Sequence, residues 1–279
     1  MKLRFEELDT VAPPGSLTQL LDHPRYSYRS VEISIFNEHR YAFYFWNKWT
    51  QYNVFEMDRI NYPPDLITLD WHQDLRLPTT EEKRRLRKLD LTKSQDVALY
   101  SWANLGRWND AHIMAAAYLN IIGDVYVHCR QGGNNEWGDE YMKDKYGNIH
   151  TIKKFKKYDQ LENNLLNSEV VNVYFDIDLD FFTINNPLTW GQGGASYTYL
   201  SNSAIKKMLR VERPLIPWIF ERLWGMTIAL EPEFTGGLLK SQSYLNLIDQ
   251  LYFSPSLFTN VPGNRSKSTQ WKHLAKQPI

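Results

Sequence analysis

Two short motifs gather the groups able to do chemistry in this chain: Asp70-Trp71-His72-Gln73-Asp74 and Asp176-Ile177-Asp178. In each, the carboxylates and the imidazole recur at every second residue, the spacing that sends side chains to one side of an extended backbone. Carboxylates crowded into one small volume raise one another's pKa and take up protons unless a divalent cation holds them ionised. With His39 beside His72, the donor set is hard and oxygen-rich, which suits Mn²⁺ better than a structural zinc site built from Cys and His. Two ions accommodate such a set better than one, and an ion pair ~3.5–4 Å apart generates a nucleophile from water at neutral pH.

Each residue also has a plainer reading. The first motif can cap a loop or form salt bridges, the second can be a structural pair, and a single His such as His39 among aromatic residues serves packing as often as ligation. The recurrence of acidic motifs at the ends of two apolar runs favours the metal. His112 falls in the first turn of an expected helix, where the helix dipole favours the neutral imidazole and suits it to moving a proton; it serves helix–sheet packing equally well. Asp180 repeats the spacing once more and reads as second-line support for the ligands or a loop cap. His128 lacks a partner at metal spacing, and His23, His150 and His273 fall in turns or the tail and read as surface residues. Cys129 has no protease-type signature around it.

Strands positioning these groups are expected at 31–36, 65–70, 124–128, 170–175 and 226–230, from alternating or continuous apolar runs. Helices are expected at 79–89, from Asn109 or Asp110 to 122, and at 203–209, 213–224 and 237–252. Strands alternating with helices predict an α/β fold, a three-layer α/β/α sandwich with a mainly parallel central sheet. In such sheets ligands bind beyond the carboxyl ends of the strands, where both motifs fall, and where Asn37-Glu38-His39 and Glu231-Pro232-Glu233 also fall. A single domain is expected over 1–279, with a polar insertion at about 131–167 containing a hairpin around Tyr146-Gly147-Asn148, and a loosely patterned tail after 254.

The composition narrows the function classes. With 32 Lys+Arg against 32 Asp+Glu, the chain lacks the basic excess of a nucleic-acid binder, and its two basic runs, at 83–88 and 153–157, read as solvated faces. No apolar run is long enough to span a bilayer, the N-terminus lacks signal-peptide character, and the single Cys forms no internal disulfide. A cytoplasmic protein without a membrane partner is expected.

In this order, His39, then Asp70-Trp71-His72-Gln73-Asp74, then Asp176-Ile177-Asp178, then Glu231 or Glu233, the motifs resemble those of the arginase and agmatinase superfamily of ureohydrolases. The chain departs from ordinary arginases in lacking Gly-Gly-Asp before the first His, in carrying Trp71 within the first motif, and in Asp180-Phe181-Phe182 after the second. Its wording is closer to the divergent branch containing the peptide arginases, which turn arginine residues of a ribosomal precursor peptide into ornithine. The resemblance spans roughly residues 30–240 and rests on short motifs.

It implies two Mn²⁺ ions bridged by Asp70 and Asp176, with His39 and Asp74 completing one site and His72 and Asp178 the other. It also implies His112 as acid/base and Glu231 or Glu233 as the grip on the guanidinium, with Glu231 favoured because it follows its strand directly. Asp178 or His112 would deliver a proton to the leaving amine. The partner implied is an arginine-containing precursor peptide, with an open groove for it expected from the aromatic stretch at 41–52 and the loop at 186–200. Three alternatives stay open: a ureohydrolase for free arginine, agmatine or another small guanidino compound; a single-zinc deacetylase of the same fold; and an inactive binding module. The sequence leaves the oligomeric state open.

Overall fold

The segment Val173–Asp178, Val-Tyr-Phe-Asp-Ile-Asp, is buried at every position, as befits a strand covered on both faces of a parallel sheet. It lies mid-sheet in the protein's computed structural model, which describes residues 11–26, 28–53, 62–130, 138–185, 197–258 and 269–273. The elements run β1 (Leu17–Asp22), β2 (Ser30–Phe36), α1 (Ala42–Asn53), β3 (Asp65–Asp70), α2 (Thr80–Leu86), α3 (Ser94–Leu99), α4 (His112–Tyr118), β4 (Val125–Cys129), β5 (Glu140–Lys143) and β6 (Ile149–Phe155). They continue with α5 (Tyr158–Leu166), β7 (Val173–Asp178), β8 (Thr183–Asn185), β9 (Tyr197–Tyr199), α6 (Asn202–Leu209), α7 (Leu215–Arg222), β10 (Leu223–Ala229), α8 (Pro232–Thr235), α9 (Leu238–Tyr252), β11 (Phe253–Ser254) and β12 (Gln270–Trp271).

Eight strands form one sheet in the order β1-β2-β10-β7-β3-β4-β6-β5. The inner neighbours pair in parallel, while β1 and β5 close the two edges as antiparallel strands. One core packs α5, α6, α7 and α9 against one face, and a second packs α1, α3 and α4 against the other. The expected α/β sandwich with a mainly parallel sheet is what forms.

Several boundaries differ from the sequence reading. The strand expected at 170–175 runs from 173 to 178, because Asp176 is not its end: Thr68 and Thr227 on the flanking strands donate to its carboxylate inside the sheet. The helix expected from 109 or 110 to 122 shortens to His112–Tyr118, since Asn109 and Asn120 adopt φ of 57° and 59° and break it at both ends. β1, in a stretch that reads as turns, pairs with β2 along its whole length. The hairpin within 131–167 is not set apart from the sheet, for β6 joins β4 in parallel.

The aromatic stretch expected to line an open groove is instead core. Tyr41 and Ala42 through Thr50 are buried, and Trp49 lies on the sheet where Gly225 has no side chain to meet it. A Cβ at Gly225 would come within 2.2 Å of the Trp49 ring. Of the loop assigned with it, 186–196 lies outside the described residues.

His23 and His150, expected at the surface, are buried at 1% and 4% exposure. His23 Nδ1 accepts the backbone N–H groups of Arg25 at 3.0 Å and Tyr26 at 3.1 Å, a role that protonation destroys. Burial, helped by the charge of Arg29, lowers its pKa to about 4. A His whose folded pKa lies below its unfolded value stabilises the fold above the unfolded pKa and loses that contribution as pH falls through the folded one. Thermal unfolding of wild type and His23→Gln, in chelator from pH 7.5 to 4, is expected to show the variant less stable at pH 7.5 and the gap closing between about pH 6.5 and 4. A gap that stays constant over that range would remove this role.

Candidate metal centre

Four neighbouring strands, β2, β10, β7 and β3, deliver the candidate residues from their carboxyl ends. His39 begins a short 3-10 turn after β2, Asp70 ends β3, Asp178 ends β7, and Glu231 follows β10. Asp180 sits in the 3-10 turn 179–182 that continues β7. All five residues are buried, with exposure no greater than 4%. Asp74, Asn109 and Glu231 adopt φ of 51°, 57° and 37°, a left-handed conformation costly for side chains other than Gly and concentrated at this one place.

His39 is the hub. Its Nδ1 faces Asp74 Oδ2 and Asp178 Oδ2, each at 3.1 Å, and Asp70 Oδ2 at 3.5 Å, while its Nε2 meets Asp176 Oδ2 at 2.8 Å. His72 Nδ1 faces Asp180 Oδ2 at 2.9 Å, and Asp180 Oδ1 accepts the backbone N–H of Trp71 at 3.1 Å. Glu231 Oε1 accepts the backbone N–H of His39 at 3.1 Å and the side-chain amide of Asn109. His112 donates from Nδ1 to the carbonyl of Asn109 at 2.7 Å, its ring lies 4.2 Å from that of His39, and it packs against Trp46.

Ligand atoms within 4.8 Å of one another group these residues as His39, Asp70, Asp74 and Asp178; as Asp70, His72 and Asp180; as Asp178, Asp180 and Glu231; and as His39, Asp74 and His112. The structure therefore gathers His39, His72, Asp70, Asp74, Asp178, His112 and Glu231 into one pit. It does not bring Asp176 into any of these groups, because both its oxygens are engaged by Thr227, Thr68 and His39 within the sheet. Asp180, expected as support for the ligands or a loop cap, falls in two of these groups. The acidic pair facing the pit is thus Asp178 and Asp180, one step further along the same strand side than Asp176 and Asp178. Glu233 is exposed on α8, outside the groups, and its backbone carbonyl accepts from Tyr197 Oη at 3.1 Å.

The electrostatics of this cluster suit a cation. Burial first, then repulsion from Asp74, Asp180 and Asp178, pushes the Asp70 carboxyl well above its ordinary range. Burial and Asp180 raise Asp178 to about 7, and burial with Asp178 and Asp180 raises Glu231 well above its usual value. His72, despite burial, is held up at about 9 by Asp180, and His39 rises well above 6.5 against its burial through Asp176 and Asp178. Burial and the charge of His39 push His112 well below its ordinary value, keeping it neutral. Asp70 Oδ2 and Asp178 Oδ2 meet His39 Nδ1 and Asp180 Oδ2 meets His72 Nδ1, while His112 Nε2 is buried without a hydrogen-bond partner among the described residues. Buried carboxylates converging on imidazoles are a donor set that a hard divalent cation suits.

Other candidates resolve differently. His128 is buried in the core, its Nδ1 bonded to the Phe155 carbonyl at 2.9 Å and its ring against Phe181. Asn109 escaped the sequence reading except as a helix start, yet it anchors both Glu231 and His112. Its left-handed backbone gave no local signal beyond the tolerance of Asn for that conformation. No helix among the described residues is long and apolar enough to cross a membrane. No protein-family model matches this chain, and no curated protein matches it.

Proposed function

We propose that the protein is a dinuclear manganese hydrolase that cleaves the guanidinium of arginine residues in a precursor peptide, giving ornithine and urea. The observation that carries this reading is the pairing, in one buried pit, of a His/Asp donor set divisible between two ions with a carboxylate, Glu231, held beside it. His39, Asp70, Asp74 and Asp178 would hold one ion, and Asp70, His72, Asp178 and Asp180 the other. Bound manganese would lower the pKa of water enough to supply a nucleophile at neutral pH.

The chain's own residues do the rest. A guanidinium carbon is poorly electrophilic because its charge is shared over three nitrogens, so orientation matters as much as attack. Glu231 is suited to pairing with the guanidinium, and its carboxylate is held in place by the bonds that Oε1 accepts from the His39 backbone N–H and the Asn109 amide. His112 keeps its Nδ1 proton on the Asn109 carbonyl, which leaves the Nε2 lone pair to take and return a proton at the departing amine. Glu231 and His112 are buried, which shields their contacts from bulk water. Exposed Trp108, Tyr199, Leu238 and Leu239 lie within a few residues of site segments or pack on them, and supply apolar surface for a peptide.

Mass spectrometry of an arginine-containing peptide and of free arginine, each incubated with Mn²⁺-loaded protein, tests the reading. The expected product is a peptide lighter by one cyanamide equivalent per arginine, with urea released and free arginine unchanged. Reaction of free arginine alone would replace the peptide assignment by a small-molecule ureohydrolase. No reaction of either, with metal bound, would favour an inactive binding module.

A further inference from the structure

Thr68, Asp176 and Thr227 stand at matched positions on three adjacent strands: Thr68 is registered with Asp176 between β3 and β7, and Thr227 with Asp176 between β10 and β7. All three are fully buried. Thr227 Oγ1 donates to Asp176 Oδ1 at 2.5 Å and Thr68 Oγ1 to Asp176 Oδ2 at 2.7 Å. The same Oδ2 meets His39 Nε2 at 2.8 Å, and the opposite ring nitrogen, Nδ1, faces Asp70, Asp74 and Asp178.

The direction of these bonds has a consequence. Each hydroxyl has one hydrogen, and both hydrogens are spent on Asp176. A carboxylate so solvated by two donors remains an acceptor, and the nitrogen set against it must carry the hydrogen. His39 with its hydrogen on Nε2 presents the lone pair of Nδ1 to the pit. A histidine's free nitrogen is selected by what the other nitrogen touches, and a carboxylate behind a ligating imidazole also raises its basicity as a ligand.

We infer that Thr68, Asp176 and Thr227 form a positioning relay that fixes the tautomer and the orientation of His39 so that Nδ1 serves as a metal ligand. The inference rests on reading the pit as a metal centre. Packing alone is a poor account of the row, because apolar residues of similar shape in place of a fully satisfied buried polar pair are often neutral or stabilising. A carboxylate kept one step beneath a cluster of like charge, by contrast, adds repulsion, and its contact with His39 Nε2 gives it a use there.

The test compares the full chain carrying Thr68→Val and Thr227→Val together, each Val change alone, and Thr68→Ser with Thr227→Ser. Val matches the shape of Thr without the hydroxyl, and Ser keeps the hydroxyl. Mn²⁺ stoichiometry and affinity are read by calorimetric titration, and the His39 tautomer by nitrogen NMR of the protein loaded with diamagnetic Zn²⁺. The double Val protein is expected to bind one of its two ions roughly tenfold to hundredfold more weakly, with mixed or reversed protonation at His39, while the Ser protein binds as wild type. If the double variant does not fold, the single Val changes are expected to show the same loss in part. Wild-type affinity in the Val proteins, or equal weakening in Val and Ser proteins, would overturn the relay. A wild type that binds no metal would end both the relay and the proposed function; one that binds two ions yet leaves every guanidino compound intact would end only the latter.

Discussion

Asp178→Asn is expected to lower kcat/KM for the arginine peptide by on the order of 10³-fold or more, since several kcal/mol of metal-derived stabilisation are at stake and each 1.4 kcal/mol is worth tenfold. Asp178 is shared by the His39 group and the Glu231 group, and its buried Oδ2 faces His39 Nδ1 at 3.1 Å. Asn keeps the shape and the oxygen that receives the Asp180 backbone N–H at 3.1 Å, but it brings no charge. The same change removes a carboxylate whose pKa burial and Asp180 have driven up to about 7, so at pH 8 the metal-free protein is expected to unfold at a temperature equal to or above that of wild type. Loss of activity without loss of metal-free stability separates a ligand from a structural residue. Activity within tenfold of wild type would remove Asp178 from the site.

The second large effect belongs to Glu231. Glu231→Gln is expected to reduce kcat/KM roughly 10²- to 10³-fold, the scale for breaking one side of a buried charge pair. Gln retains one oxygen able to receive the His39 N–H and the Asn109 amide, so the local fold is expected to persist. Glu233→Gln serves as the matched control: Glu233 is exposed, and its change is expected to leave kcat/KM within about twofold, the small effect typical of surface substitutions. Steady-state kinetics on both variants decide between them. Equal losses would mean that α8 as a whole, not the buried carboxylate, grips the substrate.

Much of this site was legible because strand periodicity and strand-end position are written in residue types. The strand expected at 65–70 forms with those bounds, since a continuous apolar run ending in a polar motif leaves little freedom. The neighbouring strand, expected at 170–175, lies three residues further on, at 173–178, which puts Asp176 inside the sheet and Asp178 at the strand end. An acid normally signals the end of a buried strand; Asp176 does not, because its partners come from Thr68 and Thr227, each about fifty or a hundred residues away in sequence. Asp176, Asp178 and Asp180 share one side of the strand, so periodicity names the face and not the depth. The aromatic run at 41–50 misled for a related reason: composition cannot tell a ring that binds a peptide from one that fills a core, and here α1 is covered by the sheet and α4. Asn109, anchoring Glu231 and His112 through a left-handed backbone, acts through contacts that no local pattern encodes.

Two ions in this site, with Asp178 and Asp180 as the second acidic pair, are the core of the proposed chemistry. Anomalous diffraction at the manganese edge from Mn²⁺-loaded crystals tests it most directly. Two peaks ~3.5–4 Å apart are predicted, one against His39 and Asp74 and the other against His72 and Asp180, with Asp70 and Asp178 touching both. A single peak, or an ion held by Asp176 in place of Asp180, would contradict it.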